Sequence, residues 1–207
     1  MNGGDPLTLG IAALGLALSR AQRARLEQYL LLLQKWNRVY NLTAIRDRER
    51  MVTHHLLDSL AIVPHVRGPW ILDVGSGAGL PGIPLALANP ALEVALLDAN
   101  QKKAAFLRQA LGELGLANAG VFNVRVDAWD TDVRFHTIVS RAFADLGEFV
   151  EPCARLLAPG GVLAAMKGVY PHDEIARLPD GFRVERVIQL EVPGLDAERH
   201  LVLVEPT

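Results

Sequence analysis

The sequence predicts an α/β protein with a seven-stranded, mostly parallel sheet, and three features of the chain lead to this prediction. After residue 69, short apolar runs alternate with amphipathic helical patterns, which is the order that βαβ units produce. A glycine-rich loop directly follows the first of these runs. The last two runs are separated by only a few residues, so we expect them to pair as an antiparallel hairpin.

The first part of the chain, residues 1–65, is predicted to be a helical N-terminal extension. Apolar residues recur at intervals of three and four between charged ones, which is typical of amphipathic helices. Asp5 and Pro6 favour a helix start rather than a signal peptide, and Ser19 and Asp47 are of the type that caps helices. Helices are therefore expected over residues 7–18, 19–38 and 54–60, with a short one after Asp47.

The second part, residues 66–207, is predicted to hold the sheet and to form one functional unit with the extension. Strands are expected over residues 70–74, 93–97, 121–126, 137–139, 161–166, 182–190 and 200–204. Helices are expected over residues 82–88, 101–115 and 146–157. Because parallel strands end at the same edge of a sheet, residues that follow the strands should lie close together.

Composition limits the classes of protein to consider. The 207 residues are 50% hydrophobic, which provides enough apolar surface for a core and excludes extensive disorder. The single cysteine, Cys153, excludes a disulfide framework, so a cytoplasmic location is expected. No apolar stretch reaches the roughly 18 residues that a membrane-spanning helix needs, so we expect no membrane partner.

The net charge of −2 conceals an uneven distribution of charged residues. Residues 20–70 contain nine Lys/Arg against four Asp/Glu, whereas residues 71–207 contain twelve against eighteen. A basic segment next to an acidic domain can steer an anionic partner to one side of a protein. An ordinary solvated helix face explains the same excess, so the charge alone does not decide.

The loop after the first strand is the most informative segment. Gly75, Gly77 and Gly79 permit a tight turn and the close approach of a ligand to the backbone. Gly77, Gly79 and Gly82 also fit the dinucleotide-binding pattern G-x-G-x-x-G. In that pattern the first glycine follows the strand directly, which here is the place of Gly75, and two prolines occupy the start of the expected phosphate-binding helix.

Three aspartates at expected strand ends favour a methyltransferase over a dehydrogenase. Asp73 would repel a pyrophosphate, but it suits the ammonium and sulfonium groups of S-adenosylmethionine. Asp98 ends the second strand, where a carboxylate can accept hydrogen bonds from ribose hydroxyls. Asp127 ends the expected third strand, where it either meets the amino group of adenine or belongs to a solvated turn.

Several segments carry a resemblance to a known family. They read DVGSGAGLPGIPL at 73–85, NLTAI at 41–45, HLLDSL at 55–60, SRAF at 140–143 and Lys-Gly at 167–168. The chain resembles the GidB or RsmG family of bacterial 16S ribosomal RNA guanine-N7 methyltransferases. The resemblance implies a class I S-adenosylmethionine-dependent methyltransferase of Rossmann-like fold, which acts on a guanine in the decoding-region loop.

The resemblance also implies where the cofactor, S-adenosyl-L-methionine, is held. Contacts are expected at Gly75, Leu80, Asp98, Ala99, Asn100, Val126, Asp127 and Arg141, beside the loop residues Asp73, Ser76, Gly77 and Gly79. Asp127 departs from the glutamate that is more common in the family, which shortens the reach toward adenine.

The expected chemistry requires no general base. Guanine N7 has an in-plane lone pair and accepts a methyl group without first losing a proton. No catalytic residue is therefore assigned, and Arg141, Lys167 and Phe143 are candidates for positioning the substrate. Salt bridges and core packing are the alternative roles of these three residues. Cys153 falls within a helix and is interpreted as structural rather than nucleophilic.

The expected partner is 16S ribosomal RNA or the 30S particle, bound by a monomer. The candidates for binding RNA are Arg38, Asn41, Arg46, Arg48, His55 and Lys167. His54 and His55 point about 100° apart on a helix, so we expect no metal site. A small-molecule methyltransferase and a cofactor-binding regulatory protein without turnover stay open as alternatives.

Overall fold

A seven-stranded sheet forms the centre of the computed structural model, which describes residues 5–141, 143 and 145–207. The strands are β1 (Trp70–Val74), β2 (Glu93–Leu97), β3 (Ala119–Phe122), β4 (Phe135–Ser140), β5 (Leu157–Lys167), β6 (Phe182–Gln189) and β7 (His200–Pro206). Their order is β3-β2-β1-β4-β5-β7-β6. Strands β1 to β5 are parallel, and β7 pairs antiparallel with both β5 and β6. The predicted fold class is confirmed, including the closing hairpin.

Helices cover the sheet and precede it. They are α1 (Pro6–Ala13), α2 (Arg20–Tyr40), α3 (Arg48–Met51), α4 (Asp58–Leu60), α5 (Gly82–Ala88), α6 (Gln101–Leu114), α7 (Leu146–Ala154) and α8 (His172–Ala176). Asp5 caps α1, and Ser19 caps α2 in a reciprocal arrangement with Gln22. Among the described residues, no helix has the length and apolarity that crossing a bilayer requires.

The segment between α3 and α4 differs from the ordinary helix that the sequence predicts. Val52–Leu57 forms a π-helical turn, in which the amide of Asp58 bonds the carbonyl of Thr53, five residues earlier. This wider turn changes which side chains share a face of the helix. It matters for the site because His54, His55 and Asp58 all belong to this region.

The third strand is the clearest error of the sequence-based prediction. It runs over Ala119–Phe122 instead of 121–126, because its pairing with β2 begins at Ala119. The chain leaves the sheet at Asn123, whose side chain bonds the carbonyl of Asp98 at 2.8 Å. Residues 121–126 read as a strand because Val124 and Val126 continue the apolar pattern beyond Phe122, the last paired residue. Asp127 therefore follows an irregular segment and lies in a 3₁₀ turn, not at a strand end.

Helix α2 packs directly on the helices of the sheet domain. Trp36 contacts the ring of Phe106 in α6, with centroids 5.6 Å apart. The guanidinium group of Arg25 bonds the carbonyls of Leu114 and Gly115, where it complements the negative end of the α6 dipole. The extension and the sheet thus share one apolar core. The division at residues 65 and 66 stays a prediction.

Tyr29 connects α2 to the glycine-rich loop. Its ring is fully buried, and its hydroxyl donates to the carbonyl of Ala78 at 2.6 Å. The extension therefore helps to hold the loop in its conformation, through a hydrogen bond that water cannot reach.

We expect Tyr29→Phe to lower the free energy of unfolding by about 1–2 kcal/mol, because it leaves the buried Ala78 carbonyl without its donor. Urea denaturation measures the change. The matched control is Tyr40→Phe, since Tyr40 is exposed and its stacking on Trp36 survives the loss of a hydroxyl. Equal effects of the two substitutions would contradict a supporting role for Tyr29.

Candidate functional site

The loop between β1 and α5 has a conformation that depends on glycine. Gly75, Gly77 and Gly79 have φ values of 71°, 58° and 88°, a region that residues with a Cβ rarely adopt. Gly82 is needed for a different reason: a Cβ there would lie 2.2 Å from Leu96 Cδ2 and 2.7 Å from Asp73 Oδ2. The glycines thus leave the loop backbone without side chains at the carboxyl-terminal ends of the parallel strands.

Asp73 is the most unusual residue of this loop region. Its side chain is fully buried, and its Oδ2 accepts a hydrogen bond from the Gly82 amide at 2.9 Å. Its Oδ1 is buried without a hydrogen-bond partner among the described residues. Burial raises the pKa of Asp73 to about 7, against the lowering effect of hydrogen bonds from Gly82 and Ser76. A half-satisfied buried carboxyl group is a place for a cationic or hydrogen-bond-donating ligand.

Asp98 lies at the end of β2, next to the loop. Its Oδ2 accepts from the Gly77 amide and its Oδ1 from the Asn100 amide, each at 2.8 Å. Asn100 in turn caps α6 by accepting from two backbone amides of the first turn. Asp98 therefore holds the loop and the start of α6 in place.

A cleft of about 360 Å³ opens beside Asp98, and we call it the glycine-loop cleft; Asp73 is fully buried and does not line it. It is lined by Val74, Gly75, Leu97, Asp98, Ala99, Val124, Arg125, Val126, Asp127, Phe143, Glu148 and Pro152. The predicted cofactor residues Gly75, Asp98, Ala99, Val126 and Asp127 are thus brought together. Ser76, Gly77 and Gly79 lie in the adjoining loop, Leu80 is buried in the core, and Asn100 caps α6.

The sequence did not predict several of the residues that line the glycine-loop cleft. Val124 comes from the irregular segment after β3, and Glu148 and Pro152 come from α7. No local motif marks these residues, because their role depends only on where α7 packs. The cleft consists of apolar walls between carboxyl groups, which suits a flat base joined to a hydroxyl-bearing sugar.

Asp127 lies at the open side of the cleft. Its carboxylate forms a two-point ion pair with Arg125, at 3.1 and 2.9 Å. This hydrogen bond lowers the pKa of Asp127. The pair is exposed, so a ligand that needs the carboxylate has to replace a weak surface interaction only.

A second pocket of about 350 Å³ adjoins the glycine-loop cleft, and we call it the basic pocket. It is lined by Ile45, His54, His55, Asp58, Arg141, Met166, Lys167, Gly168 and Arg199. Lys167 Nζ contacts Glu174 Oε2 at 2.7 Å and donates to the carbonyl of Phe143 at 3.2 Å. Phe143 lines the cleft, so its backbone belongs to the wall between the two cavities.

Arg141, predicted both for the cofactor and for the substrate, lies in the basic pocket and not in the cleft. Its Nη1 donates to the His54 carbonyl at 3.1 Å and to Asp58 Oδ2 at 3.2 Å. The ring of Phe143 packs against Phe149, with centroids 5.5 Å apart, and faces the cleft. Stacking of Phe143 on a substrate base stays a prediction.

The other histidine of the basic pocket is a neutral, structural group. His55 Nε2 shares a hydrogen bond of 2.9 Å with the Thr43 hydroxyl. Burial and the charge of Arg141 lower the pKa of His55 to about 4. This contact ties the π-helical turn to the NLTAI segment, and binding of RNA by His55 stays a prediction.

The remaining candidates for binding RNA lie away from the basic pocket. Arg38 and Arg46 line a separate hollow near Met51, and Arg46 donates to the Asn41 side chain at 3.1 Å. Arg48 forms an ion pair with Glu27 of α2. The sequence-predicted residues therefore form two groups, one in the basic pocket and one on the outer face of the extension.

Cys153 is buried in α7, and burial raises the pKa of its thiol to about 12. A thiol of this kind is neutral and inert near neutral pH. The structural interpretation of this residue agrees with its position.

The sheet order and the glycine loop define a class I methyltransferase fold. A solved structure with this fold is the glycopeptide N-methyltransferase MtfA complexed with S-adenosylhomocysteine. It matches with a TM-score of 0.61 and 14% identity over 74% of this chain and 87% of that chain. At this identity the similarity concerns the fold alone.

The particular family follows from closer relatives. The family model described as GidB, rRNA small subunit methyltransferase G, matches residues 22–202. The protein named ribosomal RNA small subunit methyltransferase G of Aromatoleum aromaticum is 59% identical, over 96% of this chain and 97% of its own length. The protein of the same name from Laribacter hongkongensis is 57% identical over 98% of both chains. The chain belongs to this family.

The raised pKa of Asp73 leads to a prediction about pH. Below pH 7 the unliganded carboxyl group is mostly protonated and lacks the charge that a cationic ligand needs. We expect the affinity for S-adenosylmethionine to rise about tenfold between about pH 6 and pH 8. Isothermal titration calorimetry at both pH values measures the change.

The control for this experiment is Asp73→Asn, which keeps the shape of the side chain but removes the titration. We expect weak binding of S-adenosylmethionine with no dependence on pH in this range. A pH dependence that persists in Asp73→Asn would assign the effect to another group.

Proposed function

We propose that this chain transfers a methyl group from S-adenosyl-L-methionine to N7 of a guanine in 16S ribosomal RNA, in the decoding-region loop. The observation that carries the proposal is the shared wall of the two cavities. On one side lies a cleft with acidic ends, and on the other a pocket with three cationic side chains. A cationic nucleoside and an anionic polymer would meet across this wall.

The residues of the cleft fit the proposed cofactor. Asp98 lines the cleft and would accept hydrogen bonds from the ribose hydroxyls. Asp73 is buried directly before Val74 and Gly75 of the cleft lining, and its Oδ1, which has no hydrogen-bond partner among the described residues, would accept a hydrogen bond from the ammonium group. Val126 and Phe143 would flank adenine, with Asp127 in reach of its amino group after release from Arg125. When bound, the cofactor supplies an electrophilic methyl group on sulfur.

The chain would then contribute alignment instead of proton transfer. N7 of guanine attacks with its lone pair, so the site needs a fixed geometry and little water rather than a base. The titratable residues of the basic pocket agree with this, since His55 is neutral and Asp58 is occupied by two arginines. Arg141 and Lys167 would hold guanine O6 or a phosphate.

The helical extension is proposed to guide the RNA. Its outer face carries Arg38, Arg46 and Arg48, and its π-helical turn forms one wall of the basic pocket. An RNA that contacts the outer face could therefore present a nucleotide to the pocket from the same side. We propose the 16S RNA, free or within the 30S particle, as the partner of a monomeric protein.

The decisive experiment maps the methyl group. Ribosomal RNA from cells with and without the protein is digested and analysed by mass spectrometry, followed by chain cleavage at N7-methylguanine. We expect one modified guanine in 16S RNA that disappears without the protein and returns with wild type but not with Asp73→Ala. Unchanged RNA would contradict the proposal, and methylation of small molecules alone would favour the small-molecule alternative.

Charge reversal tests the outer face of the extension. We expect Arg46→Glu combined with Arg48→Glu to weaken methyl transfer to RNA about tenfold or more at moderate salt, because two cation–phosphate attractions become repulsions. Binding of S-adenosylmethionine, measured by calorimetry, should stay unchanged.

The matched control for this pair is Arg177→Glu combined with Arg183→Glu. Both arginines are exposed and line neither of the two cavities. Normal methylation by the first double variant, at a salt concentration where wild type is salt-sensitive, would place the RNA on another face.

A further inference from the structure

A buried carboxylate, Asp58, joins two arginines that are far apart along the chain. Its Oδ2 accepts a hydrogen bond from Arg141 Nη1 at 3.2 Å, and its Oδ1 accepts one from Arg199 Nε at 3.0 Å. The Asp58 side chain is 3% exposed, whereas Arg141 is 29% and Arg199 is 23% exposed. The carboxylate is hidden, but both guanidinium groups keep surface in the basic pocket.

The π-helical turn explains how one helix holds both arginines. Asp58 bonds back to Thr53 instead of His54, as an α-helix would require. The His54 carbonyl and the Asp58 carboxylate then face the same guanidinium group, that of Arg141. Such turns occur frequently at functional sites, where they orient groups that an α-helix would separate.

Both arginines keep N–H donors for which the described residues provide no acceptor. Arg199 Nη1 donates to the Glu198 carbonyl, while within residues 5–141, 143 and 145–207 its Nη2 has no acceptor. The same holds for Nε and Nη2 of Arg141 in this part of the chain. One carboxylate also cannot neutralise two guanidinium groups. The pocket therefore offers directed donors and excess positive charge, which together bind a tetrahedral anion.

We propose that Arg141 and Arg199 together bind the phosphodiester of the nucleotide that is methylated, and that Asp58 is the residue that positions them. The inference rests on the proposed function, since the anion belongs to the RNA substrate. Arg199 would hold the backbone beside the acceptor base, so that the guanine reaches across the wall at Phe143 into the glycine-loop cleft.

Arg199→Ala and Arg199→Lys test this site through the kinetics of methyl transfer to the small ribosomal subunit. We expect Arg199→Ala to raise KM about tenfold while kcat changes less than about threefold, because the lost contact is present before and during the reaction. Arg199→Lys keeps the charge but loses the planar pair of N–H donors of the guanidinium group, so its KM should lie between those of wild type and Arg199→Ala.

The matched control is Arg183→Ala, which removes one charge from the same hairpin but lies outside the basic pocket. The slope of log kcat/KM against log salt should become about one unit shallower in Arg199→Ala and stay at the wild-type value in Arg183→Ala. Identical KM values and slopes in the two variants would overturn the proposal, as would a loss confined to kcat.

A binding experiment without turnover separates this site from the proposed function. Wild type should bind guanosine 5′-monophosphate about tenfold more tightly than guanosine, and this preference should fall to about threefold or less in Arg199→Ala, in which Arg141 remains. If wild type discriminates but methylates no RNA, the proposed function fails and the phosphate site stands. If RNA is methylated but the two probes bind equally, the phosphate site fails.

Asp58→Asn tests the positioning role. It preserves the shape of the side chain and both arginine charges but weakens the hydrogen bonds that orient them. We expect KM to rise with an unchanged salt slope, and binding of S-adenosylmethionine to report that the variant is folded. A wild-type KM in folded Asp58→Asn would show that the carboxylate does not position the arginines.

Discussion

The buried carboxyl group of Asp73 is the constraint on which the rest of the site depends. It lies near the end of β1, between β2 and β4 in the sheet, and accepts a hydrogen bond from the amide of Gly82, which holds the start of α5 against the sheet. A charge in this place is costly to bury, and its raised pKa reflects that cost. Among the described residues Asp73 Oδ1 has no hydrogen-bond partner, directly before Val74 and Gly75 of the cleft lining, and a bound cation would remove the penalty.

The glycine loop is held from both sides. Asp98 accepts the Gly77 amide from the direction of β2, and Tyr29 donates to the Ala78 carbonyl from the helical extension. The loop is therefore fixed before any ligand arrives, which reduces the ordering that binding has to supply. A helical extension outside the sheet therefore helps to determine the shape of the glycine loop.

The extension has a second role at the basic pocket. Its π-helical turn supplies the His54 carbonyl and the Asp58 carboxylate, while β7 and the end of β4 bring Arg199 and Arg141. The glycine-loop cleft is thus built mainly by the sheet, and the basic pocket by the sheet and the extension together. A fold shared with distant methyltransferases is in this way combined with a pocket that depends on the first 65 residues.

Much of the fold and of the glycine-loop cleft could be predicted from the sequence, because helices, strands and the glycine loop are each recorded in neighbouring residues. The period of apolar residues marks strands and helices, and the glycines and Asp73 follow one another within a single turn. The third strand was misplaced because its end is decided by pairing with β2 and by the Asn123 side chain, not by hydrophobicity. For the same reason Asp127 lies in an irregular turn.

The sequence by itself determined the α/β order, the glycine loop, the carboxyl groups beside it and the family. Only the tertiary structure decided which groups the cationic side chains contact. It pairs Lys167 with Glu174, places Arg141 in the basic pocket, and joins Asp58 to Arg199 across 141 positions of the chain. Such pairings depend on which strand ends and helix turns lie next to each other in space, and the spacing of residues along the chain does not predict this.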